Sequence, residues 1–323
     1  MNEPFKFFTN KLFILSAVIA FLIAGSFFYE LRAVSGDNVK KIFEISPGEG
    51  FFEIAGRLKE EKLIRSVKAF EIYAFARGLA GSIKPGIYEL SGNLSASEIA
   101  GILSESANEI EVIIPDGASV YDIDALLSAK KILPAGSLIT FSEKNDIEGK
   151  LYPDTYKFFE HSSPDVVVGK FLENFRVKAE PLLKKEPINY TQNLVLASLV
   201  QKEVSNETDS RIVAGILKKR LSVGMKLDVD ATICYLKKKL ENKFACYPLI
   251  PEDFKIDSPY NTYLRAGLPP GPISSPNKEA INAVLNATPS PYWFYLSDPK
   301  TGKTIFSETL DEQSANRRIY LRQ

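Results

Sequence analysis

Near its start the chain runs through eighteen consecutive uncharged, mostly apolar residues, Leu12 to Tyr29 (LFILSAVIAFLIAGSFFY). As a helix, that length just crosses the hydrocarbon layer of a bilayer, so the pattern predicts one transmembrane helix over 12–29. Lys6 and Lys11 precede it, while Glu30 and Arg32 cancel just after it. The positive-inside rule therefore puts residues 1–11 in the cytoplasm and the rest of the chain on the outer, periplasmic or extracytoplasmic, face of the cytoplasmic membrane. A cleaved signal peptide is the alternative, since Ala24 to Ser26 supplies small residues for a peptidase. The apolar run continues through Phe27, Phe28 and Tyr29, which favours an uncleaved single-pass anchor.

Past the span the pattern breaks into shorter periods. Residues 30–41 read as a polar linker with Gly36, Asp37 and Asn38. KIFEIS reads as a strand, and SPGEGFFEIAGRLKEEKLI as a helix entered through Pro47 and Gly48. SVKAFEIYAFARG reads as a helix from a Ser66 cap to Gly78, and PGIYEL as a second strand. Strand, helix, helix, strand, with PGEGFFEIA at the first turn, resembles the LysM module, which binds the sugar backbone of peptidoglycan or chitin. The resemblance implies a LysM-like βααβ subdomain over 42–105. A support domain without sugar affinity is the alternative, because a fold does not bring a binding site with it. SASEIAGIL has Ser95 and Glu98 at capping-box spacing, EVIIP is a strand, and SVYDIDALLSAKK is an amphipathic helix. The fold class is α+β: an N-terminal transmembrane helix, the βααβ subdomain, and a mixed α/β domain over 106–323.

One helix in that last domain stands out. In NLVLASLVQKEV, Leu196, Leu199, Val200 and Glu203 fall at i, i+3, i+4 and i+7, which is one face. Gln201 and Lys202 point elsewhere, so polar positions were available and the helix still carries an acid on its apolar stripe. Such an acid is either a working carboxyl or a buried partner for Arg211 or Arg220.

Composition narrows the chemistry. Forty Lys plus Arg balance forty Asp plus Glu, which leaves no electrostatic footprint for nucleic acid. One histidine and two cysteines are too few for a zinc site, and no other metal or cofactor is implied. His161, in FFEHSSPD, reads as a surface loop residue. Cys234 and Cys246 are near enough in sequence to pair, but sequence leaves their pairing open. KTG at Lys300 to Gly302 and SxxK at Ser128 and Ser275 are transpeptidase-like fragments. KTG, however, lies between the apolar runs YWFYL and TIF and reads as a hairpin turn. GxSxG, a complete P-loop, HExxH and GxGxxG are absent, so a carboxylate mechanism is what survives. Loops rich in Tyr, Asp and Asn suit a sugar, whose ring faces stack on aromatics.

Five phrases in order, EGKLYPDTY, LASLVQKEV, KRLSVGMKLDVDAT, SPYNTYLRAGLPPGPISSP and PYWFYLSD, resemble the YceG-like family of endolytic murein transglycosylases. These are membrane-anchored bacterial enzymes that cut nascent peptidoglycan strands. The resemblance runs from Phe43 to Phe306, is strongest from Glu148 onward, and implies that 106–323 is the catalytic domain. It carries the family's catalytic glutamate onto Glu203. It implies that this acid protonates the glycosidic oxygen while the muramyl 6-hydroxyl attacks, giving a 1,6-anhydro end and terminating strand elongation. Glycan strands are the implied substrate, peptidoglycan synthases the implied partners, and no cofactor is implied.

Glu148, Tyr152, Asp154, Asp230, Thr232, Asn261 and Tyr263 match polar or aromatic positions of the family's motifs and are the expected substrate-binding residues. Asn261 and Glu148 are expected nearest the sugar, with Glu148 or Asp230 as a second acid. Asp154 and Asp230 have an alternative as helix or turn caps, and LPPGPISSP reads as a rigid extended wall. The chain departs from the family at Gln201, at Lys219, at the DAT of Asp230 to Thr232, and at the EQS of Glu312 to Ser314, where the family has a histidine. A non-catalytic wall-binding scaffold and a glycan hydrolase remain the competing functions.

Overall fold

The structure, a computed structural model, describes residues 3–46, 48–104, 109–204, 206–241 and 244–321. Pro47 and the boundary expected at 105/106 lie outside them. The chain divides into two compact units, one running to Glu109 and taking in Phe159–His161, the other made of Ile110–Phe158 and Ser162 onward.

Helix α1 (Glu3–Glu30) covers the expected span. Among the described residues, no helix is long and apolar enough to cross a membrane. The side chains of Leu12 and Phe13 lie outside the described residues, and Ile14, Phe21, Ile23 and Phe28 are exposed. The segment just after α1 is fastened rather than free. Leu31 is buried in the first unit's core, and Arg65 donates to the carbonyls of Ala33 at 2.8 Å and Val34 at 3.1 Å.

The first unit continues as β1 (Lys40–Ile45), α2 (Phe51–Glu60), α3 (Val67–Ala76), β2 (Gly86–Ser91) and α4 (Ala96–Ser104). The two strands pair antiparallel with Phe43 opposite Tyr88, and Phe43, Ile54, Leu58, Phe70, Leu90 and Ile99 fill the core beneath them. Local chemistry sets the helix ends where the sequence predicts them. The Ser66 hydroxyl accepts from Ala69 N, and Gly78 takes the left-handed conformation that closes α3. Ser95 and Glu98 exchange the two bonds of a capping box. His161 sits in a turn with its side chain toward Glu89.

The second unit begins with β3 (Ile110–Ile113), α5 (Val120–Ala129), α6 (Ser137–Lys144), β4 (Thr155–Phe158), α7 (Pro164–Lys178) and the short α8 (Glu180–Leu183). Strands β3 and β4 pair antiparallel over a core of Val112, Ile123, Leu127, Phe158 and Phe171. Next come α9 (Tyr190–Glu203), α10 (Glu207–Ser222), α11 (Asp230–Glu241) and α12 (Lys278–Leu285). They surround a second core holding Leu196, Leu199, Val200, Val213, Leu217 and Ile281. The hairpin β5 (Phe294–Ser297) and β6 (Thr304–Ser307) and the final helix α13 (Leu310–Tyr320) complete it, with the KTG triplet in the hairpin turn.

LPPGPISSP forms a largely buried strap rather than a free-standing wall. Ile273 N donates to the Ser198 hydroxyl at 3.1 Å, Ser274 Oγ to Ser198 O at 3.0 Å, and Ser275 N to Ala118 O at 2.8 Å. The prolines fix the backbone, and α9 supplies partners that water would otherwise provide.

Gly215, in the middle of α10, lets the segment before the hairpin approach closely. A Cβ there would lie 2.1 Å from the Thr288 carbonyl oxygen, whose own N–H bonds Arg211 O at 3.0 Å. Backbone must then move rather than a side-chain tip. Gly215→Ala is expected to destabilise the chain by about 1–3 kcal/mol, seen as a lower Tm, despite alanine's better helix propensity. An unchanged or raised Tm would show that the approach is slack.

Candidate functional site

Helix α9 ends on Glu203. Leu196, Leu199 and Val200 on the same stripe are buried, and Glu203 continues that stripe to the point where the helix stops. The residue keeps some exposure, but its carboxyl is buried, and desolvation raises its pKa to about 7. A hydrogen bond from the Tyr295 hydroxyl and the charge of Arg220 pull it back down, while Asp230 pushes it up. The negative end of the α9 dipole also disfavours a carboxylate there.

Each of those neighbours is held by its own anchors. Tyr295 lies on β5, and the clamp on that strand comes from α13. Gln313 Nε2 donates to Tyr295 O at 3.0 Å while its Oε1 accepts from Ser307 Oγ at 3.0 Å. Through these two bonds the Gln313 amide locks the hairpin. Burial and the adjacent Glu203 hold the Tyr295 hydroxyl well above its ordinary pKa, so it remains a donor.

Arg220 is buried near the end of α10. Its Nε donates to Trp293 O at 2.9 Å and its Nη1 to Leu227 O at 2.7 Å, and its guanidinium lies 5.2 Å from the Phe294 ring centroid. It thereby joins the segment leading to Tyr295 with the segment leading to Asp230. Lys219 beside it donates to the carbonyls of Ser290, Pro291 and Tyr292 and caps the Trp293 ring at 3.9 Å. Arg211 pairs with Glu207 at 2.7 Å. Among the described residues, neither arginine forms an ion pair with Glu203.

Asp230 opens α11 and accepts a hydrogen bond from the Tyr263 hydroxyl. Behind it, Thr232 is fully buried and shares a 3.1 Å contact with Thr262 Oγ1. Asn261 is likewise fully buried. Its amide donates to Phe254 O at 3.0 Å and Ile256 O at 2.8 Å and accepts from Tyr263 N at 3.0 Å. Both its hydrogens are taken by its own loop, so Asn261 shapes the loop that presents Tyr263.

The remaining expected residues lie elsewhere in the unit. Glu148 accepts from Val120 N at 3.2 Å, at the N-terminus of α5, and from Gly149 N at 3.3 Å. Burial dominates and raises its pKa to about 7, against those two bonds and one with Tyr235. Gly149 permits this turn through its left-handed conformation, and a Cβ there would meet Pro272 at 2.5 Å. Tyr152 is in the core, with its carbonyl accepting from Tyr156 Oη at 2.6 Å. Asp154 fastens α7 through Lys178 and through Asn174 Nδ2 at 2.6 Å, which hold its carboxyl below the usual range.

The geometry thus forms two acid centres. One holds Glu203, Tyr295, Asp230, Tyr263 and Arg220; the other holds Glu148 and Tyr235. A narrow pocket lined by Ser119, Asp122, Lys202, Ala231 and Tyr235 touches α9 and α11, which carry Glu203, Asp230 and Tyr235. Sequence reasoning passed over Tyr295, which sits inside the quoted phrase PYWFYLSD without any signal to separate it from three aromatic neighbours. Among the described residues, no group of three or more His, Cys, Asp or Glu side chains is placed to hold a metal.

The chain is similar to known proteins along most of its length. An endolytic murein transglycosylase of Bacillus subtilis (strain 168) is 26% identical over 339 residues, covering 93% of this chain and 91% of the relative. One of the same name from Streptococcus pneumoniae (strain D39) is 25% identical over 356 residues, and the alignment covers 95% of this chain but only 64% of that longer relative. The crystal structure of a yceG-like protein from Listeria monocytogenes superposes with a TM-score of 0.53 at 26% identity, covering 86% of this chain and 99% of that one. A family model matches residues 43–319, and the chain belongs to the YceG-like family.

Proposed function

We propose that the protein is an endolytic murein transglycosylase that cuts peptidoglycan strands between MurNAc and GlcNAc, leaves a 1,6-anhydro-MurNAc end, and so stops glycan elongation. The observation that carries this reading is the buried Glu203 carboxyl, with its pKa raised to about 7 and a hydrogen bond from Tyr295. Such a group keeps its proton near neutral pH and still releases it to a developing leaving group. Glu203 gives the proton to the glycosidic oxygen as the C1–O bond breaks. The 6-hydroxyl of the same muramyl residue attacks C1, and its proton returns to Glu203, so the acid is reset without water. The tethered hydroxyl contributes proximity that a free water lacks. Asp230, oriented by Tyr263, faces the oxocarbenium-like charge, and Tyr295 orients Glu203. Glu148 acts at the start of α5, where it holds the loop beside the strap.

The names of the relatives from Bacillus subtilis and Streptococcus pneumoniae support the same activity. The exposed apolar side chains of α1, together with Lys6 and Lys11 before them, support a single-pass anchor with the two units outside. There the enzyme meets nascent strands alongside the synthases that extend them. The βααβ order of the first unit supports a LysM-like role in holding glycan.

Glu203→Gln is expected to keep the fold at a cost of at most about 2 kcal/mol, because the exchange is nearly isosteric and adds no charge. Strand cleavage should fall by roughly 10²- to 10⁴-fold, since the amide neither gives nor takes the proton. Near wild-type turnover in a well-folded variant would remove Glu203 from the reaction.

The raised acidity also has a sign in stability. Unfolded Glu titrates near about 4.3 and folded Glu203 near about 7, so the folded chain holds the extra proton between these values. Its stabilisation is complete below the lower value and lost as pH rises through the upper one, and Glu148 adds a contribution of the same sign. Thermal melts of Glu203→Gln should therefore decline less steeply from pH 5 to about 8 than those of the wild type. Parallel profiles would contradict the assignment.

For topology, protease added to spheroplasts is expected to digest both units and leave a short protected N-terminal fragment. Protection of the whole chain would overturn the orientation.

A further inference from the structure

The loop between α11 and Asn261 is tied down more heavily than its burial explains. Cys234, on α11, forms a disulfide with Cys246, with their Cα atoms 5.2 Å apart. One turn of the helix further on, Lys237 Nζ reaches the Cys246 carbonyl at 3.3 Å and Asp253 Oδ2 at 2.7 Å. The side chains of Lys237 and Asp253 are only 8% and 9% exposed, so this is a buried ion pair. Asp253 also accepts from Ile250 N at 3.0 Å. Yet the loop buries little of its own apolar surface, with Phe244, Tyr247 and Ile250 all exposed and Tyr247 the most open at 66%. A covalent bond and a buried ion pair holding an exposed aromatic suit a surface that must be presented, not a core that must be filled.

Helix geometry says where Tyr247 is presented. Asp230 and Cys234 are i and i+4 on α11 and so share a face. The disulfide ties Cys246 to α11 and so brings Tyr247, the next residue, to the helix that Asp230 opens. The Tyr247 hydroxyl is raised to about 12, first by burial and then by the charges of Asp230 and Glu203. Tyr247 thus lies within electrostatic reach of both acids while remaining largely open to solvent. A flat apolar face with one polar tip, at the mouth of an acid site, is the shape that accepts the apolar face of a sugar ring.

We propose that the Tyr247 ring is a platform on which one sugar ring of the strand stacks next to Glu203, and that the Cys234–Cys246 disulfide holds it there. This rests on the reading that a glycan strand enters the Glu203 site. Tyr247 touches substrate in this arrangement and transfers no proton.

Steady-state cleavage of purified glycan strands by the full chain tests it. Tyr247→Ala is expected to raise KM by about tenfold, with kcat changed less than about threefold, and Tyr247→Trp to keep KM near that of the wild type. The double change Cys234→Ser and Cys246→Ser should raise KM in the same way, and adding Tyr247→Ala to it should bring no further rise. An unchanged KM in Tyr247→Ala overturns the platform, and multiplying effects of ring and cysteine changes overturn the tie. Should the serine variant fail to fold, excess dithiothreitol acting on the folded wild type opens the disulfide to two thiols, itself becoming the cyclic disulfide. The same KM rise is then expected, and none would overturn the tie. If the wild type leaves strands uncut, the transglycosylase reading fails by itself. Strand binding by Glu203→Gln with and without Tyr247→Ala then reads the platform directly, where a roughly tenfold weaker Kd supports it and equal affinity overturns it.

Discussion

The approach of the Tyr295 hydroxyl to the Glu203 carboxyl is the interaction on which the candidate site converges. A carboxyl removed from water gains a higher pKa but loses the solvent that would orient it, so something in the protein must hold it. The hydroxyl does so from the β5–β6 hairpin, and most of the surrounding architecture serves to keep that hairpin against the end of α9. Gln313 clamps it from α13, Arg220 and Lys219 bind its approach from α10, and the absent side chain of Gly215 lets that approach lie close. Arg220 adds a second function, because its other donor bonds Leu227 on the way to Asp230. One buried guanidinium thus sets the spacing of both neighbours of the acid, and it lowers the Glu203 pKa without neutralising it through a direct ion pair.

Two carboxyls in the second unit share a pKa raised to about 7, and their surroundings separate their roles. Glu148 accepts from two backbone N–H groups, at the start of α5 and at Gly149, and is saturated by the scaffold. Glu203 sits at the opposite kind of helix end, keeps partial exposure, and is bonded by a side chain on a separate hairpin. A displaced acidity marks desolvation in both, and of the two carboxyls only that of Glu203 belongs to a residue that keeps partial exposure.

Much of this was legible in the chain where the determining contact is local. The Ser66 and Ser95–Glu98 caps, the β5–β6 turn and the stripe of Leu196, Leu199, Val200 and Glu203 depend on neighbours within a few residues, and each forms where its spacing puts it. Arg220 stood among the candidate partners of Glu203, whereas Tyr295 was not legible, because it meets the acid only through packing of separate elements. Asn261 shows the same limit from the other side. Its motif drew attention to it as a sugar ligand, whereas its amide turns inward to brace the loop that carries Tyr263. The pairing of Cys234 with Cys246 likewise depended on how the loop folds back over α11.

In the proposed reaction Glu203 lets the substrate's own hydroxyl, in place of water, take over the broken bond. Mass spectrometry of purified glycan strands after incubation with the protein reads this directly. The new ends are expected to be 1,6-anhydro-MurNAc, lighter by one water than a hydrolysed end and present from the first turnovers. Reducing MurNAc ends would make the protein a hydrolase using the same acid. Intact strands would make it a binding scaffold, and either result would contradict the mechanism.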